Sequence, residues 1–495
     1  MPIVVVFLIF VVCLVIAIPV SISLGIVSVL PGAFDPSFTA SAQFVIRSMF
    51  GGIDSFPLLA VPMFVFSGIV MAKGGISKRL FDVFAYFLGK RTAGMPCAVI
   101  ITCLFYGAIS GSGPATVAAV GSMTIPILME LGYDKKFVTA VVAVAGGLGV
   151  IIPPSIPFIM YGMAAGESVS DLFIAGIIPG LLIGGLLMIY AIYYCKKYGE
   201  DKEKIAEEIG KLHAKGFLKV LKESFFALLS PVIILGCIYS GIASPTEAAV
   251  ISVFYALIIS LFIYRTIQVK NIWGIIVEST RTYAPLLFIL AASIAFSRVL
   301  TLMQVPQAVS EWILTHFSNP IVILIVINIF LLIVGMAMDT TPAILILSPI
   351  LLPIVTEIGM DPIHFGVMMV VNLAIGFVTP PIGVNLFVAS SLTEIPIMEI
   401  AKKSISDDCV LLDCVTADYI YTRYQSCAIV GGKSVKKKIY MATAVLAAVL
   451  LSGCAKESDV QRYAWPLATS SPEDTVTQLF SEKFAEEVDR LSDGR

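Results

Sequence analysis

Charge is what this chain has least of. Of its 495 residues only 13% are Asp, Glu, Lys or Arg, about half the share of an ordinary soluble globular protein. Histidine is nearly absent, with only His213, His316 and His364. No HExxH pair exists, and the nine cysteines show no metal-ligand spacing. Cys13, Cys97, Cys103, Cys195 and Cys237 sit in or beside apolar segments, where a thiol acts as a small packing group. The GGKS at 431–434 lacks the preceding glycine of a phosphate-binding loop, so it is no nucleotide site. The 32 basic residues nearly balance 34 acidic ones, for a net charge of -2, which leaves no basic excess for nucleic acid. A zinc hydrolase, a nucleic-acid-binding protein and a pump with its own ATPase are thereby excluded, and no cofactor is expected.

What fills the space is apolar. Hydrophobic residues make up 58% of the chain and mean hydropathy is +0.96. Residues 2–31 carry no charged side chain, a run long enough to span a bilayer. The pattern predicts an all-α polytopic membrane protein, not a barrel of short alternating strands. Spanning segments are expected near 3–30, 56–73, 95–111, 137–165, 172–197, 224–241, 245–264, 281–303, 320–338 and 363–392. Residues 113–130 and 341–357 are short, begin at Gly/Pro-rich turns, and read as re-entrant. The longest charged loop, 196–223, holds eight lysines and is assigned to the cytoplasm. Two amphipathic stretches, 77–92 and 305–318, do not fit a simple count of crossings. Gly176, Gly180 and Gly184 form a GxxxG ladder that predicts close helix packing.

One stretch occurs twice. At a constant offset of 227, Pro126, Glu130, Gly132, Asp134, Gly149, Pro153 and Pro154 pair with Pro353, Glu357, Gly359, Asp361, Gly376, Pro380 and Pro381. Both copies carry a Gly/Pro break inside an otherwise spanning helix. Paired, interrupted hydrophobic segments are the best sequence pointer to the binding site of a secondary transporter.

The candidate site residues follow from that repeat. In GAISGSGPAT (107–116), a glycine-rich turn exposes peptide groups, and Ser110, Gly111, Ser112, Gly113 and Thr116 stand before a short apolar helix. Hydroxyl and carbonyl oxygens suit a hard cation such as sodium, and the start of the helix suits a carboxylate. The matching element in the second half is GMAMDTTP (335–342), with Asp339, Thr340 and Thr341. An acid at the end of an apolar segment is costly and usually functional; Asp339 either attracts a cation or ties the turn by accepting backbone hydrogen bonds. The breaks themselves place Gly149, Pro153, Pro154 and Ser155 in one half and Gly376, Thr379, Pro380 and Pro381 in the other. Proline removes a donor and frees upstream carbonyls. Asn372 and Asn385 are the nearby amides. Arg298 reads as a snorkelling interface anchor or a partner for a substrate carboxylate. Glu247, in SPTEAA, is placed to cap a helix, and Glu130 and Glu357 are expected to be interfacial.

These motifs carry a resemblance. GAISGSGPATVAAVGS (107–122), the IPPS break, SGIASPTEAA (240–249) and AIGFVTPPIGVNLF (374–387) resemble the large membrane subunit of tripartite ATP-independent periplasmic (TRAP) transporters, over about 1–403. The resemblance implies two inverted repeats, each with a re-entrant hairpin and a broken helix, in an elevator-type secondary active transporter of the bacterial inner membrane. It implies sodium-driven import of organic acids, of C4-dicarboxylate or sugar-acid type, with a small four-helix membrane subunit and a periplasmic substrate-binding protein as partners. It places sodium near Ser110, Ser112, Thr340 and Thr379.

The C-terminus departs from the family. After PIMEIAKK (396–403) a further apolar helix is expected, but 404–435 is polar and interrupted by charge. Residues 436–454 then read as a lipoprotein-type signal with Cys454 as the lipidated residue. Residues 455–495 resemble the start of a TRAP periplasmic binding protein, too short to fold alone. A frameshift that joins two neighbouring reading frames accounts for this order. Two rival readings remain beside the TRAP subunit. One is a stand-alone carboxylate carrier of a related two-hairpin fold; the other is an intramembrane enzyme with Asp134 and Asp361 as an acid pair, although both lie in loop-like turns.

Overall fold

The computed structural model describes residues 3–406, except 17, 36, 37, 318 and 382. Cys454, the signal at 436–454, the tail at 455–495 and the linker from 407 onward lie outside the described residues. Among the described residues every regular element is helical.

The uncharged N-terminal run is two helices, not the single segment expected over 3–30. α1 (Ile3–Val15) stops, and Pro19 becomes the N-cap of α2 (Val20–Phe34). Proline has no amide to continue the first helix. α3 (Ala42–Ile53) follows, capped by the Ser41 hydroxyl. A single 3-10 turn at Phe56–Leu59 leads into α4 (Ala60–Lys73), and α5 (Ile76–Leu88) is the first amphipathic stretch. α6 (Gly94–Ser110) and α7 (Gly113–Glu130) form the first hairpin. The first broken helix is α8 (Lys135–Gly146), the short α9 (Leu148–Ile151) and α10 (Ile156–Ala165). Then come α11 (Val169–Tyr198), the charged α12 (Lys202–Ala214), α13 (Phe217–Tyr239) and α14 (Pro245–Ile258), which runs on through a π-helical turn at Ile259–Ile263. Glu247 closes a capping box at the start of α14, its carboxylate accepting the Ser244 amide at 2.7 Å, as its position predicts.

The second half repeats the order. α15 (Ile272–Leu302) is followed by the amphipathic α16 (Val305–His316). α17 (Pro320–Ala337) and α18 (Thr340–Glu357) form the second hairpin, α19 (Pro362–Gly376) and α20 (Val384–Thr393) the second broken helix, and α21 (Ile397–Ser406) closes the described chain. Among the described residues seven helices are long and apolar enough to cross a bilayer, or eight with the bent pair at 384–404 taken as one. Two of the ten expected segments are each divided: 3–30 into α1 and α2, and 363–392 into α19 and α20. Thr340–Glu357, expected to be too short to span, passes by length and composition. Exposed Phe254, Phe262, Trp273 and Ile333 give the outer faces the apolar character that lipid requires.

The two repeats are inverted, as their contacts establish. The base of the first hairpin meets the charged loop: the Glu200 carboxylate accepts the Ala93 amide at 3.0 Å and the Tyr133 hydroxyl at 2.5 Å. Burial, then Glu200, holds the Tyr133 hydroxyl well above its ordinary pKa. The second broken helix starts at the other end, where the Tyr161 hydroxyl of α10 donates to the Pro362 carbonyl at 2.6 Å. It finishes beside the start of the first, where Lys136 pairs with Glu399 at 2.7 Å. The broken helices therefore run antiparallel, and the hairpins enter from opposite faces.

Packing interlocks the repeats. α8 lies on its own hairpin, α6 and α7, while α10 crosses to pack on α18 and α19. α19 lies on α17 and α18, while α20 crosses to pack on α7 and α8. The GxxxG ladder of α11 backs the first break as predicted: a Cβ at Gly176 would stand 2.8 Å from the Ile151 carbonyl oxygen, and one at Gly180 2.2 Å from Ile152.

Inversion has a direct test. Glu130 and Glu357 are both exposed, at the bases of the two hairpins. In intact cells Glu357→Cys should react with a membrane-impermeant maleimide from outside, and Glu130→Cys only after permeabilisation. Labelling of both from one side contradicts the topology.

Candidate substrate and ion site

The first hairpin turns at Gly111, whose φ of 61° is the left-handed region that glycine enters without strain. Its amide bonds the Gly107 carbonyl at 2.9 Å and closes α6. The turn brings three hydroxyl-bearing residues together. Ser110 Oγ and Thr116 Oγ1 lie 3.0 Å apart, and Thr116 Oγ1 donates to the Ser112 carbonyl at 2.8 Å. Ser110 and Thr116 are buried.

This tip is pressed against the first break. The Ile156 amide donates to the Gly111 carbonyl at 3.3 Å. A Cβ at Gly149 would stand 2.5 Å from Thr116 Oγ1 and 2.8 Å from the Ser112 carbonyl oxygen, and one at Gly107 2.6 Å from the Gly149 Cα. Only glycine allows that approach. Ser155 caps α10 by accepting the Phe158 amide at 3.4 Å, and its hydroxyl donates to the Val150 carbonyl. The structure thus gathers Ser110, Gly111, Ser112, Thr116, Gly149, Pro154 and Ser155 into one cluster; Pro153–Pro154 and Pro380–Pro381 are both cis.

The second break reaches the same place. Asn385 opens α20, and its Nδ2 donates to the Ala143 carbonyl of α8 at 3.0 Å. A Cβ at Gly113 would lie 3.2 Å from Asn385 Oδ1 and 3.3 Å from the Gly146 carbonyl oxygen. Asn385 is fully buried, and its Oδ1 has no hydrogen-bond partner among the described residues. Neutral oxygens from hairpin tip, first break and second break thus crowd one junction. Among the described residues no group of three His, Cys, Asp or Glu side chains is placed to hold a metal.

The second tip is built by the same rule. Asp339 is the N-cap of α18, in extended backbone immediately before Thr340 and Thr341. Thr340 and Thr341 are buried. A Cβ at Gly376 would come within 2.3 Å of the Gly335 backbone, the counterpart of the Gly107–Gly149 approach. Thr379 Oγ1 donates to the Ile375 carbonyl at 2.8 Å. Asn372 lies one turn before Gly376 and donates to the Met368 carbonyl at 3.0 Å and to Asn328 Oδ1 of α17. It braces α17, the first arm of the second hairpin.

Gly107, Gly146 and Gly335 line the candidate site and were not singled out from the sequence. For two of them the signal is a near-repeat: Gly335 follows Gly107 by 228, one more than the repeat offset. Asp134 and Asp361 do not meet. Asp134 accepts the Phe137 amide at 3.1 Å, Asp361 the Ile363 amide at 2.9 Å, and they cap helices that start on opposite faces.

Comparison with known proteins agrees with this architecture. Residues 7–414 match the family described as "Tripartite ATP-independent periplasmic transporter, DctM component". The isethionate TRAP transporter permease protein DctMQ of Oleidesulfovibrio alaskensis is 44% identical over 401 residues, 81% of this chain and 62% of that protein. The chain thus matches less than two thirds of that relative's length. The C4-dicarboxylate TRAP transporter large permease protein DctM of Pseudomonas aeruginosa is 41% identical over 70% of this chain and 80% of its own. The 2,3-diketo-L-gulonate TRAP transporter large permease protein YiaN of Escherichia coli is 36% identical over 71% and 82%. Among solved structures, the Alcanivorax borkumensis YdaH transporter aligns with a TM-score of 0.57 at 13% identity, covering 79% of this chain and 90% of its own, a likeness of fold alone.

The close glycine approaches carry a stability prediction. Gly149→Ala and Gly376→Ala should each cost about 1–3 kcal/mol by overpacking, read as a lower unfolding midpoint in detergent. Gly185→Ala, on α11 with open space around it, should leave the midpoint unchanged or raise it.

Proposed function

This chain belongs to the DctM component family of tripartite ATP-independent periplasmic transporters, and from that membership we propose that it is the translocating subunit of a sodium-coupled importer of small organic anions. It is a multi-span membrane protein and a transporter subunit, not an enzyme. Relatives are named for isethionate, C4-dicarboxylates, 2,3-diketo-L-gulonate and sialic acid. All four are anions, which favours an organic acid as cargo here. The family implies a small membrane subunit and a periplasmic substrate-binding protein as partners, in the bacterial inner membrane.

The observation that carries the sodium reading is the junction at Gly113. The Ser112 and Gly146 carbonyls, the Ser110 and Thr116 hydroxyls and Asn385 Oδ1 are hard, neutral oxygens from three segments. Oxygen ligands suit hard cations, and a set without a carboxylate favours one positive charge over two. A sodium ion at this junction would draw hairpin tip, first break and second break together. Cation binding then favours the closed arrangement that also receives the anion at the helix start, which is the coupling a symporter needs. Alternating access follows as a movement of the interlocked hairpins and broken helices against α4, α14 and α15, in the manner of an elevator.

Reconstitution tests this. Proteoliposomes with this chain, its small subunit and its binding protein should take up a labelled organic acid only with an inward sodium gradient. Asn385→Ala should raise the sodium concentration for half-maximal uptake about tenfold, the loss of one charge-assisted contact. Equal uptake in potassium contradicts sodium coupling, and uptake without binding protein favours the stand-alone carrier.

A further inference from the structure

A cavity with a few polar side chains in its lining lies away from the first hairpin tip. It has a volume of about 470 Å³ and is walled by the end of α3, the turn before α4, the end of α10, α15 and the middle of α18. Arg298 is the only charged residue in its lining, with the hydroxyl-bearing Ser55 and Ser297 beside it and Gly52, Gly162 and Gly166 opening its walls. Among the described residues Arg298 has no salt-bridge partner. Arg298 is exposed and lines a cavity of a size that suits a small ligand.

Its place in the fold is informative. The cavity lies at the end of α10, opposite the charged loop 196–223, and so on the outer face by the positive-inside assignment. It bridges the α3–α4 and α15 elements to α10 and α18, parts of the two interlocked repeats. Leu345 of its lining stands five residues beyond Thr340 on α18, about 7.5 Å along the helix axis. A ligand held here is outside the hairpin tips but within one short step of the second.

We propose that this cavity is an outer anion-binding subsite, in which Arg298 receives a carboxylate or sulfonate before the anion reaches the tips. A guanidinium offers a planar fork of donors that matches both oxyanion groups. The flanking serine hydroxyls add donors. This deepens the organic-anion reading above and rests on it for the cargo class, though the binding claim is testable without transport.

The test is substrate protection of a cysteine in the cavity. Full-length chain with Ser297→Cys, in membranes, is labelled with an impermeant maleimide in the presence of succinate, isethionate, N-acetylneuraminate or neutral succinamide. At least one anion, and not succinamide, should slow labelling several-fold. Arg298→Gln in the same background should abolish the protection, and Arg298→Lys should retain part of it. Protection by none of the anions, or equal protection with Arg298→Gln, overturns the subsite. In proteoliposomes Arg298→Gln should raise KM about tenfold or more and leave the maximal rate within about twofold; a loss of maximal rate with unchanged KM also overturns it. Anion protection in a chain that transports nothing upholds the subsite and defeats the importer reading instead.

Discussion

A peptide group stranded at the middle of a bilayer has no water to bond, and each one left bare costs several kcal/mol. Every unusual feature of this protein answers to that constraint. Two helices are broken by glycine and Pro-Pro pairs, and two hairpins turn inside the apolar layer. The freed peptide groups survive because other broken backbone is brought against them. Glycine makes the approach possible: Gly107 meets Gly149 in one repeat, and Gly335 meets Gly376 in the other. The same closeness that shelters the breaks concentrates their oxygens, so the structural requirement and the proposed binding site arise from one arrangement.

Inversion makes the arrangement cooperative. Because α10 crosses to the second hairpin and α20 to the first, neither break is completed by its own repeat. Asn385 belongs to the second repeat yet bonds Ala143 and faces Gly113 in the first. A ligand held at that junction touches both repeats at once. In the proposed mechanism, coupling between ion and cargo needs no distant pathway, only a shared preference for the closed junction.

Much of this was legible in the sequence, and the physical reason is plain for each part. The breaks were visible because Pro-Pro and glycine have few other uses inside an apolar run. The second arms of the hairpins were visible as separate helices because 113–130 and 341–357 begin at turn-forming residues. The capping role of Glu247 was visible because SPTE is a local motif. Long-range contacts were not. Nothing at Asn372 distinguishes it from Asn385 locally, yet one braces α17 and the other meets the opposite repeat. The split between α1 and α2 was hidden because Pro19 lies in an unbroken apolar run, where hydropathy reads one segment. The cavity that Arg298 lines was hidden because it is assembled from four stretches far apart in sequence.

The measurement that bears most directly on the interlocked junction is hydrogen–deuterium exchange of the purified chain in sodium against potassium. Segments 107–116, 143–156 and 377–386 should become protected together in sodium, while 202–214, remote from the junction, should not change. Protection of one segment alone, or identical exchange in the two salts, would contradict a sodium site shared by the two repeats.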